Sequence, residues 1–182
     1  MLAQFAQMGN VYAKYILDIE KPKVGILSIG EEEGKGNALV KDTYPLLKEL
    51  HDQGRIDFVG NIEGKELFVN KADVVVTDGF AGNVALKVTE GTASMLLKMI
   101  AREFKSNILG CIIGLLAKPF LRNMYKRINW EGFGGMLLLG VKGISVIAHG
   151  RSSSFAMKNA VRVAATTLNN DINKKIAENI NR

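Results

Sequence analysis

Apolar residues follow two spacings along the chain, one typical of helices and one typical of buried strands. An apolar stripe with helical spacing over residues 2–19 predicts a first helix, which Pro22 should close. A second helix is predicted over 37–50, where Pro45 should bend or split it. A third, long helix is predicted from 83 to 104.

Short apolar runs between the helical segments predict the strands of a sheet. They are bounded by glycine or loop residues and rich in β-branched side chains, and they lie at 24–29, 56–59, 72–77, 136–139 and 144–148. A last helix follows, with Ser154 as its predicted N-cap. Because helices and strands alternate, the sequence predicts a single α/β domain over 1–182, a three-layer αβα fold with a mostly parallel sheet.

The composition is that of an ordinary soluble globular protein. Of the 182 residues, 47% are hydrophobic and 23% charged, which excludes a disordered, collagen-like or coiled-coil chain. A single cysteine, Cys111, excludes a disulfide framework, and with only two histidines it disfavours a zinc site. The sequence therefore predicts no metal. The N-terminus has no basic segment followed by an apolar run, so we expect no signal peptide and a cytoplasmic protein.

The positive charge of the chain is confined to one segment. The net charge is +6, and residues 87–128 carry eight basic and only two acidic side chains. The rest of the chain is therefore neutral. A charge excess confined in this way predicts a local partner surface and argues against nucleic-acid binding.

Three glycine-rich loops each lead from a predicted strand into a helix. They cover 30–37, 78–83 and 149–153, and are named here the first, second and third loops. In parallel sheets ligands bind at the carboxyl ends of the strands, and glycines and helix N-termini admit an anion to backbone N–H groups. Together with Lys35 and Arg151, the loops predict a site for phosphate or another oxyanion at one sheet edge. Ordinary turn chemistry is the alternative for each loop alone.

The first loop does not match either of the two common phosphate-binding motifs. Gly30 and Gly34 are separated by three residues where a Walker loop needs four, and Lys35 is followed by Gly36 instead of Ser or Thr. The dinucleotide fingerprint fails because Leu39 stands where its third glycine is needed. A nicotinamide-dependent dehydrogenase is therefore disfavoured.

Several of these segments together resemble a known enzyme family. The strings GILSIGEEEGKGNALVKDTYPLL, FVGNIEG and ADVVVTDGFAGNVALKVTEG, followed by a late strand ending in AHG, resemble the acyl-ACP:phosphate acyltransferases of phospholipid synthesis. The resemblance runs in order from about residue 2 to about residue 170, and corresponds to the C-terminal half of the family's longer chains. It implies an isocitrate/isopropylmalate dehydrogenase-like fold that is incomplete in this sequence, with part of the site absent.

The resemblance implies an acyltransferase that converts acyl-ACP, a thioester of acyl carrier protein, and inorganic phosphate into acyl-phosphate and free carrier protein. It implies no cofactor, and a cytoplasmic, peripherally membrane-associated homodimer. Phosphate itself is the nucleophile, so no covalent acyl-enzyme is required. Such an enzyme has to position phosphate beside the thioester and stabilise the tetrahedral oxyanion.

On this basis we assign candidate site residues to the three loops. Lys35 is predicted to contact phosphate or the oxyanion, Asn83 to donate a hydrogen bond to the oxyanion, and His149 to act as a donor or acid–base group. The remaining predicted phosphate- and substrate-binding residues are Gly34, Gly36, Asn37, Asp78, Gly79, Gly82, Lys87, Ser152 and Ser153.

Each of these assignments has a structural alternative. Solvent exposure is the alternative for Lys35 and Lys87, helix capping for Asn83, and a turn contact with its own backbone for Asp78. A hydrogen-bonded structural role is the alternative for His149. The two serines of the third loop alternatively lead into the cap of the following helix.

The basic segment predicts a second function. Residues 106–117 are uncharged and too short to span a bilayer, and basic residues flank them on both sides. A helix, a break near Pro119 and a second short basic helix would form an apolar tip with a cationic collar, which is typical of an interfacial membrane anchor. This protruding hairpin is predicted at about 98–128, with membrane contacts at Ile108, Leu109, Ile112, Ile113, Leu115, Leu116 and Phe120.

Two alternatives remain open at the level of the sequence. The hairpin can instead pack in a dimer interface, and its basic surface can dock the acidic carrier protein. The whole chain can instead be a non-catalytic remnant that acts only as a membrane- or carrier-binding module.

Overall fold

A parallel three-stranded sheet lies at the centre of the fold. The computed structural model describes residues 1–128, 135–148, 150 and 152–180. The strands are β1 (Lys23–Leu27), β2 (Asp57–Ile62) and β3 (Val74–Val76), in the order β2-β1-β3. This confirms the predicted α/β class, and the sheet with its flanking helices is consistent with a three-layer αβα fold.

Helices α1 (Leu2–Ile16) and α2 (Ala38–Asp52) pack together with the sheet. They form one core cluster of buried apolar side chains, made of Leu2, Ala6, Val24, Ile26, Val40, Leu47, Leu50, Ile56 and Val76. Val24 and Ile26 are two residues apart on β1, so they project from the same face of the sheet. This apolar face holds α2 in place, with its first turn at the carboxyl end of β1.

The other described elements follow in chain order. A short 3-10 helix (Gly64–Phe68) follows β2, and the long α3 (Gly79–Phe104) and α4 (Ile108–Ile128) follow β3. A separate two-stranded antiparallel sheet consists of β4 (Met136–Leu137) and β5 (Val146–Ile147). The chain then forms α5 (Ser154–Asn169) and α6 (Ile172–Ile180), and α6 packs against α1 through Ile172 and Ile176.

Three expectations about helix boundaries are wrong. The predicted split at Pro45 does not occur and α2 is one helix, because burial of Leu47 and Leu50 outweighs the one backbone hydrogen bond that proline removes. Helix α4 likewise continues through Pro119, and the break in the predicted hairpin lies at residues 105–107. Helix α3 begins at Gly79, four residues earlier than predicted, because Asp78 caps it.

The expectation that the late strands extend the parallel sheet is also wrong. Within the described residues, strands β4 and β5 form a two-stranded sheet of their own, with Met136 opposite Ile147. Both strands contact α5. The third loop therefore does not follow a strand of the parallel sheet. Ser153, not Ser154, is the N-cap of α5, and its Oγ accepts the N–H of Ala156 at 3.2 Å.

Candidate functional site

The first and second loops lie at the same edge of the parallel sheet. The first loop follows β1, the central strand, and the second follows β3, which is its neighbour. Because parallel strands bring their carboxyl ends to one edge, the two loops and the N-termini of α2 and α3 belong to one region. The structure thus brings together two of the three loops that the sequence singled out.

The backbone of the first loop is held by a few specific hydrogen bonds. The N–H of Ser28 donates to the carbonyl of Ile62 at 2.9 Å, which continues the ladder between β1 and β2. The N–H of Lys35 donates to the carbonyl of Glu32 at 3.0 Å, and Asn61 Nδ2 donates to the same carbonyl at 2.7 Å. These contacts fix the middle of the loop above the end of β2.

Gly36 is the residue that turns the first loop into α2. Its φ of +112° lies in the left-handed region that favours glycine. A Cβ added there would lie 2.7 Å from Val40 Cγ1 and 3.0 Å from Ser28 Oγ. Side-chain space and backbone conformation therefore both require glycine at this position.

The N-terminus of α2 has a neutral cap and free donors. Asn37 Oδ1 accepts the N–H of Val40 at 2.9 Å. Within the described residues, the N–H groups of Ala38 and Leu39 have no acceptor. Because the cap carries no charge, the positive end of the helix dipole is uncompensated and available to an anion.

Lys35 supplies the nearest positive charge to this helix end. Its side chain is exposed, and its ammonium forms no ion pair or hydrogen bond within the part of the chain that the structure describes. Its Cβ and Cγ lie against Gly30, where an added Cβ would be 2.9 Å from Lys35 Cγ. The position agrees with the predicted phosphate contact, and equally with a solvated lysine.

Acidic residues of the first loop oppose anion binding, and part of their charge is compensated. Glu31 lies 3.5 Å from the ammonium of Lys71 and 3.9 Å from that of Lys65. Both lysines also pair with residues around the 3-10 helix, Lys71 with Glu66 at 2.6 Å and Lys65 with Glu63 at 2.9 Å. The network ties Glu31 to the side of the loop.

The second loop has a different electrostatic arrangement. Asp78 Oδ1 accepts the N–H groups of Phe80 and Ala81, both at 2.9 Å, and the Asp78 carbonyl accepts the N–H of Gly82 at 3.0 Å. The carboxylate therefore occupies the N-terminus of α3. This is the turn contact named above as the alternative for Asp78, and it uses the N–H groups that an anion would need. Gly79 and Gly82 lie within the first turn of α3.

The two predicted polar residues further along α3 lie on its exposed surface. Asn83 is the fifth residue of the helix and does not cap it. Lys87 pairs with Glu90 at 2.8 Å, one turn along the same helix. The roles predicted for both residues stay predictions.

The third loop is described only in part. His149 and Arg151 lie outside the described residues. Ser153 caps α5 through its Oγ, as described above. Gly150 and Ser152 are described, but they follow the separate antiparallel sheet, so strand pairing does not place them with the first two loops.

Two residues that the sequence reading did not assign lie beneath the first loop. Ser28 and Asn61 are buried, and neither Ser28 Oγ nor Asn61 Oδ1 has a hydrogen-bond partner among the described residues. The signal in the sequence was weak: a serine directly after an apolar strand, and an asparagine inside the otherwise apolar FVGNI strand.

The other predicted surface is the apolar part of α4. The predicted membrane-contact residues are all exposed, with Ile108 83% and Phe120 76% accessible to solvent. Gly114 allows α4 to pack against Phe104, the last residue of α3, since an added Cβ would lie 2.9 Å from Phe104 Cβ. None of the helices described is long and apolar enough to cross a membrane.

A separate cleft and a search for metal-binding clusters complete the description of candidate sites. A cleft of about 640 Å³ lies between α5, α6 and residues 142–144, and none of the predicted site residues lines it. Among the described residues, no cluster of His, Cys, Asp and Glu has the arrangement to hold a metal ion. The first loop suits an oxyanion on other grounds, which are the N–H groups at the start of α2 and the exposed Lys35.

Comparisons with known proteins agree with the resemblance seen in the sequence. Residues 1–175 match the family described as "Fatty acid synthesis protein". The chain is 48% identical over 181 residues to a "Phosphate acyltransferase" of Dictyoglomus turgidum, and this match covers 100% of the chain and 53% of the relative. A "Phosphate acyltransferase" of Aquifex aeolicus is 49% identical over 179 residues, which is 98% of the chain and 52% of the relative.

A third relative, from Halothermothrix orenii and also named "Phosphate acyltransferase", is 48% identical, with 100% of the chain and 54% of the relative covered. The chain spans about half the length of the curated relatives it matches, and corresponds to their C-terminal half. The match includes the first and second loops and both helices that follow them. The chain belongs to the fatty acid synthesis protein family.

Proposed function

We propose that this chain forms the phosphate-holding part of an acyl-ACP:phosphate acyltransferase. The observation that carries the proposal is the neutral N-terminus of α2. Among the described residues, the N–H groups of Ala38 and Leu39 have no acceptor, and the ammonium of Lys35 in the loop before them is unpaired. The name "Phosphate acyltransferase" printed for its relatives supports the reaction class.

The reaction needs little from the protein beyond position and charge. An oxygen of inorganic phosphate attacks the thioester carbonyl of acyl-ACP and forms a new C–O bond. The tetrahedral oxyanion then collapses, the C–S bond breaks, and the carrier thiolate leaves and takes a proton. The α2 N-terminus holds the phosphate, and Lys35 compensates its charge. Gly34 and Gly36 leave the backbone of the loop open to the anion.

The other candidate residues keep secondary roles in this proposal. Asn83 is proposed to donate to the oxyanion from the exposed surface of α3, and His149 to supply a donor or proton from the third loop. Asp78, by contrast, is proposed to act through the backbone of the second loop, because its carboxylate is bonded to Phe80 and Ala81. Lys87 is proposed to contact phosphate from α3, where it also pairs with Glu90.

A trapping experiment tests the proposed activity. The purified 182-residue chain is incubated with acyl-ACP and phosphate, and acyl-phosphate is trapped with hydroxylamine. We expect phosphate-dependent product that falls by about a hundredfold in Lys35→Ala, because an interaction with developing charge is lost. The Lys48→Ala variant, which removes an exposed lysine near the other end of α2, is the control and should keep its activity. No product from a folded chain would assign the reaction to the longer relatives and leave this chain as a binding module.

We also propose that α4 binds an anionic membrane surface. Its exposed apolar face, with Leu115 and Leu116 both 70% accessible, is flanked by Lys118 and Arg122 in the same helix and by Lys105 before it. Each basic residue close to an anionic leaflet contributes about 1 kcal/mol, so the segment supports reversible association. An amphipathic helix with an apolar face and cationic ends is typical of interfacial binding.

Co-sedimentation with phosphatidylserine-containing vesicles tests this second proposal. The Ile112→Asp and Leu115→Asp variants should lose vesicle binding, because each places a charge on the apolar face. Val161→Asp, which changes an exposed apolar residue of α5, is the matched control and should bind normally. Unchanged vesicle binding in both α4 variants would contradict the proposal. If the α4 variants no longer form a dimer but still bind vesicles, the hairpin packs in a dimer interface instead.

A further inference from the structure

Two unpaired polar atoms lie under the first loop. Ser28 is 9% and Asn61 2% exposed, and the Ser28 Oγ and Asn61 Oδ1 atoms have no hydrogen-bond partner among the described residues. An unpaired buried polar atom destabilises a fold, so native proteins usually pair such atoms, with protein, water or ligand. This pair therefore indicates a place where something polar binds.

The two side chains point to the same side of the sheet. Asn61 of β2 pairs in register with Ile26 of β1, and Ser28 lies two residues beyond Ile26. Because side chains alternate along a strand, both project from the face that packs against α2. An added Cβ on Gly36 would lie 3.0 Å from Ser28 Oγ, so the hydroxyl faces the backbone just before the start of α2.

The hydrogen bond of Asn61 to the first loop sets the direction of its amide. Its Nδ2 donates to the carbonyl of Glu32 at 2.7 Å, so this end of the amide must be the nitrogen. Oδ1 therefore points away from Glu32 and can only accept a hydrogen bond. Ser28 Oγ is free to donate. Together the two residues offer one donor and one acceptor on the α2 side of the sheet.

We propose that Ser28 and Asn61 are specificity-determining residues that recognise the protonated form of phosphate. Ser28 donates its hydroxyl hydrogen to an unprotonated phosphate oxygen, and Asn61 Oδ1 accepts the hydrogen of a P–OH group. Inorganic phosphate keeps at least one such proton at neutral pH, whereas sulfate, of similar size and shape, has none. The pair thus selects phosphate over sulfate.

This inference rests on the phosphate site of the proposed function and adds the means of discrimination. It also requires movement of part of the first loop, because Gly36 closes over Ser28. The Glu32 carbonyl stays on Asn61 Nδ2, which keeps Oδ1 turned away from Glu32. The anion reaches the pair from the α2 side when Gly36 moves away from Ser28. Holding the P–OH group at Asn61 leaves the unprotonated oxygens of phosphate for attack.

Titration calorimetry with inorganic phosphate and with sulfate tests the inference on the 182-residue chain. We expect phosphate to bind more tightly than sulfate. Asn61→Leu, which removes the acceptor at similar volume, should weaken phosphate binding about tenfold, the effect of one hydrogen bond to a charged group, and change sulfate binding less than twofold. Ser28→Ala should weaken both anions alike, because its hydroxyl donates to either.

Thr43→Val is the matched control, since it removes a buried hydroxyl from α2 that is already bonded to the carbonyl of Leu39. It should leave both affinities unchanged. Equal loss of phosphate and sulfate binding in Asn61→Leu would overturn the inference, because holding the Glu32 carbonyl in place serves both anions. Equal binding of the two anions by the unaltered chain would also overturn it, without any variant.

The outcomes separate this inference from the proposed function. If Lys35→Ala weakens phosphate binding while Ser28→Ala and Asn61→Leu do not, the phosphate site stands and the selecting pair is overturned. If the folded, unaltered chain binds neither anion, the phosphate site itself is overturned and the pair with it.

Discussion

The first and second loops are both rich in glycine and both lead from a strand of the same sheet into a helix. They differ in the residue that caps that helix. Asn37 caps α2 with a neutral amide, whereas Asp78 caps α3 with a carboxylate that accepts two backbone N–H groups. Among the described residues, the first loop keeps free donors and an unpaired lysine. The second loop has no lysine, and Asp78 accepts the N–H groups of Phe80 and Ala81.

This difference shows that a glycine-rich loop before a helix is not by itself an anion site. The charge of the cap decides whether the helix dipole is available to a ligand or already compensated. In the second loop the carboxylate stabilises α3 and repels an anion. In the first loop, the neutral amide caps α2 without opposing an anion.

The largest change in stability is expected at Gly36 of the first loop. It has a positive φ, whereas neither glycine of the second loop does. Gly36→Ala should lower the free energy of unfolding by about 2 kcal/mol, because the backbone is strained and the methyl group meets Val40. Urea denaturation followed by circular dichroism measures the change. Gly34→Ala, where nothing lies within 4 Å of an added Cβ, should unfold like the unaltered chain. Equal unfolding free energies for the two variants would contradict the claim that the turn at Gly36 requires glycine.

Exchanging the caps tests the comparison directly. Asn37→Asp should keep the stability of α2, since Asp and Asn are equally good N-caps. It should weaken phosphate binding about tenfold, because a carboxylate within about 4 to 6 Å repels the anion. The reciprocal Asp78→Asn removes a carboxylate from the same sheet edge, so it should not weaken phosphate binding. Titration calorimetry measures both, and a phosphate affinity that ignores the charge at residue 37 would contradict the assignment of the site to α2.

Removal of the Asp78 cap of α3 should lower stability without changing phosphate binding. Asp78→Ala leaves the N–H groups of Phe80 and Ala81 without their acceptor, which should cost about 1 kcal/mol of unfolding free energy. Thermal unfolding with and without phosphate measures the effect. Because the second loop is not expected to hold the anion, the stabilisation by phosphate should equal that of the unaltered chain. A smaller stabilisation would place part of the anion site in the second loop.

The smallest effect concerns the ion pairs beside the first loop. The hydrogen bond from the Lys71 ammonium holds the pKa of the Glu66 carboxyl below its usual value. Glu66 therefore stabilises the fold above its unfolded-state pKa, and this contribution is lost as the pH falls through the folded-state pKa.

Glu66→Gln should consequently make the stability fall less steeply in acid. Lys71→Met, which removes the partner of Glu66, should likewise make the stability fall less steeply as the pH is lowered. Urea midpoints measured from neutral to acid pH test both variants. If the urea midpoints of both variants fall with pH as steeply as those of the unaltered chain, the ion pair contributes nothing measurable to stability.

Much of the fold could be predicted because it depends on local patterns. Strand β1 and helix α2 follow directly from an apolar run and an apolar stripe that burial then confirms. The predictions were wrong where packing between distant residues outweighs a local preference, such as that of proline to interrupt a helix. Pro45 does not split α2 because Leu47 and Leu50 are buried against the sheet. The late strands could not be placed, because which strand pairs with which depends on distant parts of the chain.

Within the candidate site, the sequence by itself determined the loops, the lysine and the family, because short glycine-rich strings carry that information locally. Only the tertiary structure decided which helix end is open to an anion, since that depends on where two cap side chains place their oxygens. It alone brought Ser28 and Asn61 together, because they lie on different strands and meet only through the register of β1 with β2. Burial then left their polar atoms without a partner among the described residues, a property that no single residue in the sequence reveals.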